Sequence, residues 1–226
     1  MSPLPDGSAL RVTVLISGSG TNLQSLIDAV DLGRLDVELV HVISNRAEAR
    51  GLQRASQAGI PSSILPHGNF ASRDEFDSAL ALLMAAHSPG LIVLAGFMRI
   101  LGPAVIQEFS GKMINLHPSL LPLYRGTDTY QRAILAGDRE HGASIHFVTG
   151  ELDGGPVISQ VRIPVEPGDT PEQLATRLSP REHALMVSTV ELFSQGLITC
   201  NDEHVSYDGR PLKQPLILQT DGSFLD

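Results

Sequence analysis

Apolar residues gather along this chain in short continuous runs: RVTVLI at 11–16, VELVHVI at 37–43, PSSIL at 61–65, LIVLAG at 91–96 and KMINL at 112–116. Strands apolar on both faces are expected where helices cover both sides of a parallel sheet. Amphipathic stretches at 22–30, 47–58, 71–87 and 103–109 separate the runs. The rhythm predicts an α/β fold: a Rossmann-like, doubly wound, mostly parallel sheet with right-handed crossovers. Beyond residue 126 the rhythm changes, to a helix over 127–137 and strands over GASIHFVT (142–149) and PVISQVRIPV (156–165). The short ELDGG connection between those strands predicts an antiparallel pair, adding an antiparallel strand on the C-terminal side of the sheet. Thr170-Pro171-Glu172-Gln173 reads as N-cap, first-turn proline and capping-box glutamine, and Ser179-Pro180-Arg181-Glu182 repeats the signature. These predict a C-terminal helix broken or kinked near Pro180. In the tail from Ile198, Asp208-Gly209 predicts a small hairpin against the sheet edge.

Composition narrows the class. The chain has 226 residues, 42% hydrophobic and 18% charged, enough for one α/β domain and marginal for two. No apolar run has the length of a bilayer span, so no membrane role is expected. The opening MSPLPDGSAL has neither a basic nor an apolar stretch of signal-peptide type. Residues 1–10 are expected to be a disordered lead, residues 11–226 a single domain, and the compartment the cytoplasm. The single cysteine, Cys200, rules out an intramolecular disulfide and reads as a partly buried small hydrophobe. A net charge of −9 disfavours nucleic acid as a partner. A small anion remains compatible, because a nest of amides binds phosphate whatever the global charge.

Three motifs carry chemistry. SGSGTN (17–22) lies between the first strand and its helix, where glycines admit a ligand and helix amides point at it. A dinucleotide reading fails: Leu23 stands where a third glycine should fall, and the second strand ends in Ser44-Asn45 with no acid for a ribose. A monophosphate held by Gly20, Thr21 and Asn22 suits the loop better, with helix capping the bland alternative for Asn22. The second motif, MINLHPSLLP (113–122), places Asn115 and His117 on one side of a strand near its carboxyl end. An amide that can donate to a developing oxyanion and an imidazole near neutrality suit acyl transfer. In the third, ELDGGPV (151–157), Asp153 precedes two glycines. If that turn folds back, its carboxylate can pair with His117 and favour the imidazolium; the alternative is turn chemistry alone. No G-x-S-x-G elbow and no H-E-x-x-H spacing occurs, so neither an acyl-enzyme nor a bound metal is indicated.

LISGSGTNLQSLIDA (15–29), VISNRAEARGLQRASQAGIP (42–61), VLAGFMRILGP (93–103), INLHPSLLP (114–122) and EHGASIHFVTGELDGGPVI (140–158), in that order, closely resemble the folate-dependent phosphoribosylglycinamide formyltransferases. The resemblance spans roughly residues 11–200. It implies formyl transfer from 10-formyltetrahydrofolate, as co-substrate, to the amine of glycinamide ribonucleotide in purine (IMP) biosynthesis. A phosphate-binding half would cover about 11–110, and a catalytic and folate half about 91–200. Asn115, His117 and Asp153 match the family's catalytic trio: the first to hold the formyl oxygen, the second as general acid/base, the third to tune that histidine and assist proton transfer through water. Gly20, Thr21 and Asn22 match its phosphate-binding residues. Glu182 matches a glutamate near the ribose, although it is also the third residue of the Ser179 capping box. Arg73 matches a folate-site arginine, and Met98, Arg99, Ile100 and Leu101, with Asn115, match the folate pocket; taken as residues alone, MRIL reads as core packing and Arg73 as a solvated helix residue. The resemblance implies small-molecule partners only, and a monomer or homodimer.

One stretch departs from the family. LYRGTDTY (123–130) lacks the proline that usually precedes the glycine, and with QRAILAGD it looks more like methionyl-tRNA formyltransferase. The alternatives are a formyltetrahydrofolate hydrolase, another folate-dependent formyltransferase acting on tRNA or a sugar nucleotide, and a non-catalytic folate- or nucleotide-binding protein. Turnover separates the last from the others.

Overall fold

The structure, a computed structural model, describes residues 8–201 and 204–225. Most of the expected disordered lead, residues 1–7, lies outside the described residues. Leu10, the last residue of that expected lead, belongs to β1 and is buried.

Four β-α units come first: β1 (Leu10–Ile16), α1 (Thr21–Asp31), β2 (Val37–Ser44), α2 (Arg50–Gln57), β3 (Ser62–Ile64), α3 (Arg73–Ala85), β4 (Leu91–Leu94) and α4 (Pro103–Glu108). There follow β5 (Met113–His117), α5 (Thr129–Ala136), β6 (Glu140–Phe147), β7 (Val157–Pro164) and α6 (Pro171–Ser194). The tail adds β8 (Ile198–Asn201), β9 (His204–Tyr207), β10 (Arg210–Pro211), β11 (Leu216–Leu218) and β12 (Phe224–Leu225). The main sheet is nine-stranded, in the order β12-β11-β7-β6-β5-β4-β1-β2-β3. Strands β3, β2, β1, β4 and β5 run parallel, and β6 is antiparallel to both β5 and β7.

Alternation within the apolar runs splits the core into two. Val12, Val14 and Ile16 of β1 and Leu91 and Val93 of β4 face Leu23, Leu26 and Ile27 of α1 and the apolar stripe of α6. Leu15, Ile92 and Leu94 face the other way, onto Phe76, Leu80 and Met84 of α3 and Val105 of α4. On β5, Ile114 and Leu116 join the first core and Met113 the second, so period two puts Asn115 and His117 on the α3/α4 face.

Two expectations are corrected. The second capping signature does not start a helix: α6 is one 24-residue element with Pro180 inside it. The capping box that does form is Thr170 with Gln173, and Leu174, Leu178, Leu185, Met186 and Val190 bury one stripe across the proline. That burial outweighs the single hydrogen bond a helical proline removes. In the tail, the Asp208-Gly209 turn joins β9 to β10 in a separate three-stranded sheet, not against the main sheet's edge. The edge is extended instead by β11, parallel to β7, and β12.

At the sheet's carboxyl edge, Ser17 ties the loops together. Its hydroxyl donates to Asn45 Oδ1 (2.6 Å) and accepts from the Met98 amide (2.8 Å), joining the loops after β1, β2 and β4. Gly20 sits beside it with φ +69°, and a Cβ there would lie 2.6 Å from Gly51 Cα. Gly20→Ala is therefore expected to cost about 2 kcal/mol through conformation and clash, lowering Tm by about 5 °C. A thermal melt equal to wild type would show that the two glycines need not approach.

Candidate active site

The first loop leaves the N-terminus of α1 without a side-chain cap. Gly20 caps α1 from the left-handed region, so the amides of the first turn have no side-chain partner. Arg54 braces the loop, its Nε donating to the Ser19 carbonyl (2.9 Å) and its Nη1 to Gln24 Oε1 (2.9 Å). Gly51 N–H donates to Gly18 O (3.1 Å). Thr21 is exposed and Asn22 half-buried. The capping alternative for Asn22 is not realised; its Oδ1 is buried with no hydrogen-bond partner among the described residues.

The polar cluster lies where β5 meets β6. Register pairs Asn115 with His146 across the two strands, and Asn115 Nδ2 is 3.0 Å from His146 Nε2. His146 Nδ1 donates to the Phe147 carbonyl (2.9 Å), so Nε2 can accept from the amide when the ring is neutral and donate to Asp153 when it carries a second proton. The turn after β6 folds back across the sheet face. It brings Asp153, in the left-handed region at φ +47°, to 3.4 Å from His117 Nδ1 and 3.6 Å from His146 Nε2. Gly126 N–H donates to Asp153 Oδ2 (2.9 Å). His117 Nε2 lies 2.9 Å from the Tyr124 carbonyl; a carbonyl only accepts, so that nitrogen carries the proton.

These neighbours set the charge states. Burial pushes the Asp153 carboxyl up, but the His146 ring, the Gly126 amide and the charge of His117 outweigh it and hold the carboxyl below its ordinary value. For His117, burial is the largest influence and pushes the imidazole down; the Tyr124 carbonyl and Asp153 push it up, and His146 and Arg132 add to the lowering. The expected Asp153–His117 contact therefore exists, but the expected net preference for imidazolium does not, because desolvation wins.

The cleft beside this cluster is lined by Asn115, His146, Asp153, Arg99, Ile100 and Leu101, among others. Met98 is 70% and Ile100 56% exposed, whereas Leu101 is 5% exposed; core packing describes only the last. Arg99 stacks over the Phe76 ring, 4.7 Å from its centroid. Arg73 is not merely solvated, for its Nη2 donates to the Ile100 carbonyl (2.8 Å). His117 is not among the cleft-lining residues; its Nδ1 lies 3.4 Å from the Asp153 carboxylate. The divergent 123–130 loop closes over the pair: Gly126 holds Asp153, Arg125 pairs with Glu151, and Arg132 Nη1 donates to the Arg125 carbonyl (2.6 Å).

One feature lay beyond sequence reasoning, and one alternative is corrected. His146 was not singled out, and the signal that identifies it is strand register opposite Asn115. Glu182 is not a capping residue: it is 9% exposed within α6 and accepts from the Tyr130 hydroxyl at 3.3 Å.

Residues 10–190 match the formyl transferase family. The chain belongs to that family. Among its relatives is the phosphoribosylglycinamide formyltransferase of Haemophilus influenzae, 44% identical over 202 residues, covering 89% of this chain and 95% of that protein. The protein of the same name from Escherichia coli is 43% identical over 203 residues, covering 90% and 96%. Among solved structures, the phosphoribosylglycinamide formyltransferase of Coxiella burnetii superposes with a TM-score of 0.87 at 50% identity, covering 91% of this chain and 96% of that one. The family assignment confirms the resemblance read from the sequence blocks. It also confirms the α/β fold of an enzyme that transfers formyl groups.

Burial pushes the Glu182 carboxyl up from 4.5 to about 7 in this formyl transferase fold, against the lowering effect of the Tyr130 hydroxyl. A carboxyl raised on folding stabilises the protein fully below about 4.5, and that contribution is lost as pH rises through about 7. Glu182→Gln should remove this slope, so that the variant gains in Tm relative to wild type as pH rises through that window. Melting temperatures that run parallel throughout would contradict the buried-carboxyl assignment.

Proposed function

We propose that the chain transfers the formyl group of 10-formyltetrahydrofolate to the amine of 5′-phosphoribosylglycinamide, giving the N-formyl ribonucleotide and tetrahydrofolate. The observation that carries this reading is the Asn115–His146–Asp153–His117 network beside the cleft, within a formyl transferase fold. The amides of Gly20, Thr21 and Asn22 receive the ribonucleotide phosphate at the α1 terminus, and Glu182 meets its ribose. Arg73 and the strip Met98, Arg99, Ile100 and Leu101 line the folate side, with Asn115 between the two ligands.

The amine attacks the formyl carbon directly, and Asn115 Nδ2 donates to the oxygen that becomes negative. His146 Nε2, as acceptor of the second Asn115 N–H, fixes which way that amide points. The ammonium formed on attack loses its proton through one water to His117 Nδ1, and Asp153 stabilises the resulting imidazolium. The proton returns to the folate nitrogen as the carbon–nitrogen bond breaks. The substrates are small molecules, the chain acts as a single domain from about residue 11, as monomer or homodimer, and the compartment is the cytoplasm.

The test is release of tetrahydrofolate followed spectrophotometrically with the ribonucleotide, with water as the only acceptor, and with methionyl-tRNA. Release that requires the ribonucleotide is expected. Release in water or dependence on tRNA would replace the reading with a hydrolase or a tRNA enzyme, and silence would favour a binding protein. Asn115→Ala is expected to lower kcat by about 10²- to 10³-fold with little change in ribonucleotide KM. Undiminished turnover would remove the amide from the mechanism.

A further inference from the structure

Gln160 lies on β7, two strands from β5, and is 4% exposed. Its carboxamide makes two buried hydrogen bonds that serve neither strand pairing nor the cleft. Nε2 donates to the Leu121 carbonyl (2.9 Å) and to Ser144 Oγ (2.9 Å). Ser144, on β6, donates in turn to the Ser119 carbonyl (2.7 Å) and accepts from the Leu121 amide (3.0 Å). Ser119 then holds both ends of the segment, its hydroxyl donating to the Leu123 carbonyl (2.6 Å) and its amide to the His117 carbonyl (2.9 Å). The next carbonyl along the chain is that of Tyr124, which accepts from His117 Nε2. The 119–124 backbone is thus fastened from beneath by side chains of β6 and β7, and its last carbonyl sits on the imidazole.

We infer that Gln160 is a positioning residue for His117, acting through the 119–124 segment to fix the tautomer of the imidazole. With Tyr124 O in place, Nε2 keeps its proton in both the neutral and the charged ring, and Nδ1, beside Asp153, is the nitrogen whose proton comes and goes. When the segment is loosened, the neutral ring gains a second option. The proton moves to Nδ1, where it donates to the Asp153 carboxylate, and the basic lone pair turns to Nε2. The ring then has the wrong tautomer to accept a proton at Nδ1, a change that leaves geometry intact and lowers rate. The inference rests on the reading above that His117 takes up its proton at Nδ1.

The experiment uses the full chain as wild type, Gln160→Met and Ser119→Ala. Methionine keeps the length of the side chain and removes its donor; Ser119→Ala removes only the bond to Leu123 O. Nitrogen-15 spectra of labelled imidazoles, with His117 assigned by its loss in His117→Gln, report the tautomer directly. Thermal melts and kcat against ribonucleotide KM complete the set. Wild type is expected to show the Nε2–H form of neutral His117, and both variants a shift toward Nδ1–H. Alongside that shift, kcat should fall about tenfold while KM stays within about twofold. A folded variant that melts lower but keeps the wild-type tautomer and kcat would overturn the inference and leave Gln160 a packing residue. Should Gln160→Met fail to fold, a wild-type tautomer and kcat in Ser119→Ala would overturn the inference, because the segment through which Gln160 acts would then not set the ring. A wild type without formyl transfer would defeat the functional reading while leaving the tautomer comparison to decide the role of Gln160.

Discussion

A carboxylate held between two imidazoles and under a loop amide is the contact on which the site depends. Asp153 has to reach His117 on β5 and His146 on β6 at once, and three parts of the fold meet that demand. Reversal of β6 places His146 opposite Asn115. The turn that follows adopts a left-handed residue at Asp153 to fold back over the sheet face, and Gly155 behind it leaves no room for a side chain, since a Cβ there would lie 1.9 Å from the Phe147 carbonyl. The 123–130 loop then adds the Gly126 N–H as a donor to the carboxylate. An ionised carboxylate this far buried is tolerable because its protein neighbours are a donor and two titratable rings.

Competition between burial and charge gives this cluster its character. Burial opposes ionisation of both Asp153 and His117, yet the carboxyl stays low because its donors outweigh desolvation, and the imidazole stays low because its partners do not. The result is an anionic acceptor beside a ring that is readily neutral, a pair suited to taking up one proton and returning it within a catalytic cycle. In α6 the same physics acts on Glu182, whose raised carboxyl accepts from the Tyr130 hydroxyl and has little access to water.

Much of this was legible in the chain. Continuous apolar runs predicted the parallel sheet because both faces are covered, and the split of β1 into Val12, Val14 and Ile16 on one side and Leu15 on the other is the physical form of that pattern. Asn115 and His117 were recognisable from two-residue spacing near a strand's carboxyl end. His146 was not, because within GASIHFVT it reads as one more strand position; only pairing register places it opposite Asn115. Glu182 was named through the resemblance, but its alternative capping role came from a local signal, a serine-proline start that α6 overrides by burying an apolar stripe across it. The sign of the His117 shift was missed for a related reason: a partner in sequence announces charge, while burial is a property of the assembled fold. In the tail, Asp208-Gly209 announced a turn, but nothing local says which sheet a turn will join.

Single-turnover formyl transfer by Asp153→Asn, measured beside equilibrium binding of the ribonucleotide and the folate, tests the central claim most directly. The substitution keeps the shape of the side chain and removes the charge that stabilises the His117 imidazolium. The account predicts binding within a few-fold of wild type and a chemical step slower by about 10²-fold or more. A single-turnover rate equal to wild type would contradict it, and would place the proton transfer somewhere other than the carboxylate–imidazole pair.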